Sequence, residues 1–341
     1  MKLLEENFIG KQKLCNRIVM PPMCMYMAED GLVNDFHIAH YTTRALGGVG
    51  MIIVESTAVT PNGRISKNDL GLWNNKHVNG LKRLTDNIKK YGAVAAVQLN
   101  HAGRKSEIAN SLPVAPSAIY FSDKYPIPVS LSVDEIHEII QSFQDAAVRA
   151  VEAGFDLIEI HGAHGYLIHE FLSPFSNTRT DEYGGTHENR VRLLKEVLLA
   201  VRSVLPKDFP VTVRLSAIDY LDDGLTIEDS VKTVQAVEAL IDAVHVSTGG
   251  ISGTFEKIQD YPAYQVQFAK VIKDAVALPV IAVGQIKNYD LAEAIIRLGN
   301  ADLVAVGREI IRDPFWAYRL AKREGLDYPM PEGYLVAFNS K

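Results

Sequence analysis

Eight short apolar runs recur along this 341-residue chain, at positions 17–20, 51–54, 94–99, 157–160, 211–215, 243–246, 280–283 and 303–306. They are rich in β-branched residues, and stretches of helical period separate them at 36–46, 77–91, 133–153, 188–204, 226–240, 264–275 and 289–298. A strand that is apolar along its whole length is buried on both faces, which is the condition of a parallel sheet sandwiched by helices. Eight strand–helix units in succession predict closure of that sheet into a barrel.

A doubly wound open sheet is the competing layout. It would call for a Gly-x-Gly-x-x-Gly turn after the first strand, where this chain runs Pro21-Pro-Met-Cys-Met-Tyr26. The expected fold is therefore α/β, a single (β/α)₈ TIM barrel forming one domain over 1–341, with loop excursions at its C-terminal mouth at 112–128 and 172–185.

Composition narrows the partners. A hydrophobic share of 47% and a charged share of 22% can build one large core. Thirty-five basic against 41 acidic residues, with no basic run, argue against nucleic acid and membrane surfaces. The first ten residues carry Lys2, Glu5 and Glu6 rather than a signal-like apolar stretch, and the two cysteines, Cys15 and Cys24, lie nine positions apart. A cytoplasmic protein without disulfides is expected.

In such a barrel, polar residues just past each strand share one rim, where barrel enzymes work. The rim collects Cys24 and Tyr26, then Glu55 and Ala58, then Gln98, His101, Arg104 and Lys105. His161-Gly-Ala-His-Gly-Tyr166 follows the fourth strand, Arg214 ends the fifth, and Ser247-Thr-Gly-Gly250, Gly284-Gln285 and Gly307-Arg308 follow the last three. The final two glycine turns are placed to wrap a phosphate, with Arg308 adding charge, although glycines there also simply turn a strand into a helix.

His161 and His164 admit three readings: satisfied loop histidines, metal ligands with His169, or donors to a developing oxyanion beside the proton-carrying Tyr166. Their spacing matches no zinc signature, and no metal is expected. Cys24 is either a small buried apolar residue or a reactive thiol. Arg214 and Gln98, ending buried strands, need partners that a ring edged with carbonyls would supply. A barrel aldolase would need a lysine within a strand, and Lys105 lies beyond its strand.

Five motifs in order resemble the Old Yellow Enzyme flavoproteins, and within them the bacterial branch often called thermophilic-like. They are Asn16-Arg-Ile-Val-Met-Pro-Pro-Met-Cys-Met-Tyr26; Gln98-Leu-Asn-His-Ala-Gly-Arg-Lys105; His161-Gly-Ala-His-Gly-Tyr-Leu-Ile-His-Glu-Phe-Leu-Ser-Pro174; Asn177-Thr-Arg-Thr-Asp-Glu-Tyr-Gly-Gly185 with Glu188-Asn-Arg190; and Gly307-Arg308. The resemblance implies FMN as cofactor, NADPH or NADH as electron donor, and reduction of activated alkenes or nitro compounds.

By the family pattern, Pro21, Pro22, Met23, Cys24 and Ala58 would lie along the flavin ring and Gln98 and Arg214 at its pyrimidine edge. Gly284, Gly307 and Arg308 would hold the phosphate. His161, His164 and Tyr26 would bind the substrate oxygen, Tyr166 would protonate carbon, and Cys24 would tune the ring. The alternatives are a dedicated enoyl thioester substrate and a non-catalytic flavin carrier.

The resemblance also implies a homo-oligomer, dimer or tetramer, in which relatives of this branch often send an arginine from the tail into a neighbour's pocket. The tail here, 331–341, has no arginine, leaving Tyr334, Phe338 or Lys341 to reach across. Pro21 stands where close relatives often have serine.

Overall fold

The computed structural model describes residues 1–253, 258, 260–328 and 330–339. Eight parallel strands form the barrel: β1 Ile18–Met20, β2 Met51–Ala58, β3 Val94–Asn100, β4 Leu157–Gly162, β5 Val211–Ser216, β6 Ala243–Ser247, β7 Val280–Ala282 and β8 Leu303–Ala305. Each pairs with the next, and β1 pairs with both β8 and β2, which closes the sheet.

Alternation along each strand splits the core in two. Met51 and Ile53 of β2 point into the barrel with Val94, Ala96, Leu157 and Ile281, whereas Ile52 and Val54 point outward against the helices. Inside a closed barrel little can collapse, so truncating Ile53 to alanine costs about 2–5 kcal/mol.

An antiparallel hairpin, Asn7–Ile9 with Gln12–Leu14, precedes the barrel and was not legible as apolar period. It delivers Ile9 and Leu14, both fully buried, into the same interior cluster and plugs the N-terminal end.

The helices between strands start where the sequence offers caps. α1 Asp35–Leu46, α3 Val133–Glu152 and α6 Ile227–Val237 begin with Asn34, Ser132 and Thr226, each accepting a backbone N–H from the first turn. α2 Val78–Lys90, α5 His187–Val204, α7 Val266–Ala275 and α8 Tyr289–Arg297 complete the outer ring, and α4 Leu167–Leu172 is an extra turn at the mouth. Strand and helix bounds fall within a few residues of the sequence expectation. The chief difference is β2, which runs on to Ala58 through a bulge between Val54 and Thr57, so Glu55 and Ala58 lie within the strand.

Both predicted excursions are present. The guanidinium of Arg104, fully buried, donates to the carbonyls of Ile119 and Tyr120 at 3.0 and 3.4 Å and to that of Ile251, tying the 112–128 segment to the loop after β6. Arg179 of the second excursion donates to the Pro116 carbonyl of the first and to that of Leu131 just beyond it.

The tail forms α9 Arg308–Arg312, α10 Trp316–Arg323 and α11 Glu332–Asn339. Phe338 stacks on Tyr318 and Phe315 of its own chain, at 4.6 and 5.5 Å between ring centroids, and Tyr334 lies 5.7 Å from Phe315. Lys341 lies outside the described residues. Among the described residues no helix is long and apolar enough to cross a membrane.

Candidate active site

Strand β4 alternates Leu157, Glu159 and His161 toward the barrel axis, so His161 reaches the mouth from within the sheet. The chain then turns sharply, with His164 and Gly165 at φ 59° and 71°. A Cβ on Gly165 would lie 2.1 Å from the carbonyl oxygen of Gly250, so only glycine lets this turn close on the loop after β6. The turn is held by three hydrogen bonds: His164 N–H to Ser216 Oγ at 3.0 Å, Gly165 N–H to His169 Nδ1 at 2.9 Å, and Leu167 N–H to the His101 carbonyl at 3.0 Å.

The three predicted side chains meet. The ring of His161 lies 5.2 Å from that of His164 and 5.0 Å from that of Tyr166, edge to face in both cases. His161 Nδ1 accepts the Ala163 N–H at 3.3 Å, which places the ring proton on Nε2. Burial, and next the positive charge of Arg214, holds both imidazoles well below the usual histidine range. Each is therefore a neutral ring with one N–H to give. Burial first, then Cys24 and Tyr26, pushes the Tyr166 phenol well up, so it carries a proton at neutral pH.

Lys105, on the rim but unassigned from sequence, supports this group. Its ammonium donates to the His164 carbonyl at 2.9 Å and lies 4.9 Å from the centre of the Tyr166 ring. Burial brings it down to about 8.

Across the mouth, the loop after β1 has no regular structure, and Tyr26 holds a left-handed φ of 55°. Tyr26, His164 and Gln285 are three of seven non-glycine residues with positive φ among those described, so backbone strain gathers at the rim. Glu55 Oε1 accepts the Met25 N–H at 3.2 Å and its Oε2 accepts the Tyr41 hydroxyl at 2.8 Å, fixing this loop to α1. Burial, then the carboxyls of Asp69 and Glu55, pushes the Cys24 thiol up; it sits half-buried as a neutral thiol rather than a thiolate. Ala58 is buried in β2.

Between these walls lies a cavity of about 690 Å³, the size of a cofactor site. Pro21, Pro22 and Met23 line one side, and Arg214 and His164 another. Gly284, Gly307 and Arg308 line the far end. Gly284 and Gln285 have φ of 123° and 48°, and a Cβ on Gly307 would lie 3.3 Å from Met23 Sδ. Two opened backbone turns beside a guanidinium suit a phosphate. Gln98 is buried just inside the barrel, and it, Cys24, Ala58, Tyr26, His161 and Tyr166 are not among the residues that line this cavity.

The residues fit a flavin mononucleotide on independent grounds. The Nε of buried Arg214 and both amide atoms of buried Asn100 have no hydrogen-bond partner, which is costly unless a polar ring edge arrives. Among the described residues no three His, Cys, Asp or Glu side chains group as a metal site would.

Sequence reasoning missed the buried supports: Glu159 with His245, and His169 with Asp219 at 2.9 Å. The signal was present, since Glu159 and His245 occupy inward positions of apolar strands, where a charge needs a reason.

The family profile of NADH:flavin oxidoreductase / NADH oxidase matches residues 4–326. An NADPH dehydrogenase from Clostridium acetobutylicum is 52% identical over 341 residues, 99% of this chain and 100% of its own length. One from Bacillus subtilis is 47% identical over 98% of both chains. The solved old yellow enzyme homologue from Zymomonas mobilis matches with a TM-score of 0.83 at 28% identity over 98% of both chains. A 2-naphthoyl-CoA reductase structure matches with a TM-score of 0.90 at 28% identity, covering 95% of this chain and 52% of that larger one. This chain belongs to the NADH:flavin oxidoreductase / NADH oxidase family, the Old Yellow Enzyme flavoproteins.

Proposed function

We propose that the protein is an FMN-dependent NADPH oxidoreductase acting as an ene-reductase on α,β-unsaturated aldehydes and ketones, and on nitro compounds. The observation that carries this is the meeting of His161, His164 and Tyr166 beside a cavity whose wall holds the unpartnered Arg214. Two curated relatives named NADPH dehydrogenase, at 52% and 47% identity, support the donor.

Pro21 to Cys24 and Ala58 would face the ring, Gln98 and Arg214 its pyrimidine edge, and Gly284, Gly307 and Arg308 the phosphate. FMN, when bound, supplies a carrier that takes hydride from NADPH and passes it to the β-carbon of the alkene. His161 and His164 donate N–H to the carbonyl oxygen, where electron density collects, with Tyr26 at its edge. Tyr166 gives its O–H proton to the α-carbon. The balance is one hydride and one proton added across C=C, NADPH leaving as NADP⁺.

The described chain acts as one FMN-binding unit. A cytoplasmic homo-oligomer, dimer or tetramer, is in keeping with the family and with the apolar face of α11, where Val336 is 74% exposed. The test is optical: purified protein with flavin bands that bleach with NADPH and return with cyclohexenone under anaerobic conditions. A protein without flavin absorbance would defeat the reading, and bleaching without return would make it a carrier.

A further inference from the structure

Glu159 has no part in the chemistry above, yet it sits fully buried on the barrel axis, two residues before His161. Its Oε1 accepts from Gln98 Nε2 at 2.8 Å, and its Oε2 meets His245 Nδ1 at 2.8 Å. A carboxylate only accepts, so both contacts have a defined direction. Gln98 must turn its amide NH₂ toward Glu159, its register partner on β4, and its carbonyl oxygen away from that carboxylate. His245 must carry its proton on Nδ1, leaving Nε2 bare, and that nitrogen is buried without a partner among the described residues.

Burial, then Arg214, keeps the His245 ring below the usual histidine range despite Glu159, so the ring is neutral and the pair bears one negative charge. That charge has a counterpart. Arg214 pairs in register with His161 on one side and His245 on the other, one level above Glu159, whose register partner on β5 is Thr212. Burial weakens the hold of Arg214 on its proton, and Glu159 is the largest opposing influence. The floor of the site thus carries two buried opposite charges, Arg214 at the cavity wall and Glu159 one level below it.

We infer that Glu159 is a positioning residue for the flavin: through Gln98 it fixes which end of the amide meets the ring edge, and through space it offsets Arg214. The inference rests on the flavin reading. A carbonyl turned away from Glu159 is an acceptor that would select a ring N–H. An anion below Arg214 tempers the stabilisation of negative charge, so the site holds the flavin without trapping it in its reduced, charged form. His245 locks the second oxygen and keeps the carboxylate from rotating.

The experiment uses deflavinated protein, FMN and a redox dye. Glu159→Gln keeps shape and one acceptor but removes the charge. It is expected to bind oxidised FMN within about tenfold of the unmodified protein, and to raise the ratio of reduced to oxidised bound flavin at a fixed dye ratio by about tenfold or more. An unchanged or lowered ratio overturns the offset. Glu159→Asp keeps the charge but shortens the reach to Gln98. It is expected to weaken FMN binding by about tenfold, at an unchanged ratio. Unchanged affinity in that variant overturns the positioning, whether or not the glutamine variant folds. Failure of the unmodified apoprotein to take up FMN would instead sink the flavin reading itself.

Discussion

Ser247 Oγ lies 2.7 Å from Nε2 of His164, and this contact decides what the other ring nitrogen can do. For His164 to donate to a substrate oxygen from Nδ1, its Nε2 must be bare and the serine must donate to it. The other acceptor for the serine, Gln265 Oε1 at 3.5 Å, is too distant to compete. Ser247→Ala should free the tautomer and weaken binding of a phenol, an analogue of the developing oxyanion, by about tenfold. Titration of the flavin spectrum with phenol reads this directly, and affinity equal to that of the unmodified protein would refute the tautomer role.

The turn bearing His164 and Tyr166 depends on His169, which accepts the Gly165 N–H and contacts Asp219 Oδ1 at 2.9 Å. Asp219 Oδ2 also accepts from Ser173 Oγ and the Leu225 N–H, at 2.7 and 2.8 Å. Asp219→Asn forces one of these acceptors to become a donor inside a sealed pocket. A loss of about 2–4 kcal/mol is expected from urea unfolding, with the slope unchanged.

Glu170 Oε1 accepts the Arg104 N–H at 2.9 Å, and burial drives this carboxyl up to about 8, Arg104 and Lys105 only partly opposing. Its folded value lies above its unfolded one, so the native state keeps a proton that the unfolded chain has lost. That stabilisation is complete below about 4.5 and disappears as pH rises toward 8. Glu170→Gln should remove about 2 kcal/mol of the stability lost between pH 6 and 8. Equal slopes for variant and unmodified protein over that range would show that Glu170 is ionised throughout.

Tyr41 gives its hydroxyl proton to Glu55 Oε2 and accepts the Glu55 N–H at 2.9 Å. Tyr41→Phe strips one bond from a buried carboxyl that burial has already raised to about 7, and one from the backbone N–H of the same residue. A cost of about 2–3 kcal/mol is expected in thermal or urea unfolding. Because Glu55 also holds the Met25 N–H, flavin should dissociate faster from this variant, as followed by fluorescence release.

The barrel was legible because burial on both faces writes itself as unbroken valine and isoleucine, and Ser132 or Thr226 mark helix starts. The hairpin was not, since only Ile9 and Leu14 of its six strand residues are buried. At the rim, His161, His164, Tyr166 and Arg214 could be named from their places at strand ends. Glu159 and His245 stood out only as charges within apolar strands, and Asp219 not at all, because a buried charge declares its purpose once its partners on other elements are in view.

The plugged floor of the barrel has a kinetic corollary. With Ile9 and Leu14 filling the N-terminal end, the cavity among the described residues lies at the C-terminal mouth, and a hydride donor and a hydride acceptor sharing it would take turns. Turnover should then follow parallel double-reciprocal lines, and excess of either visitor should block the other.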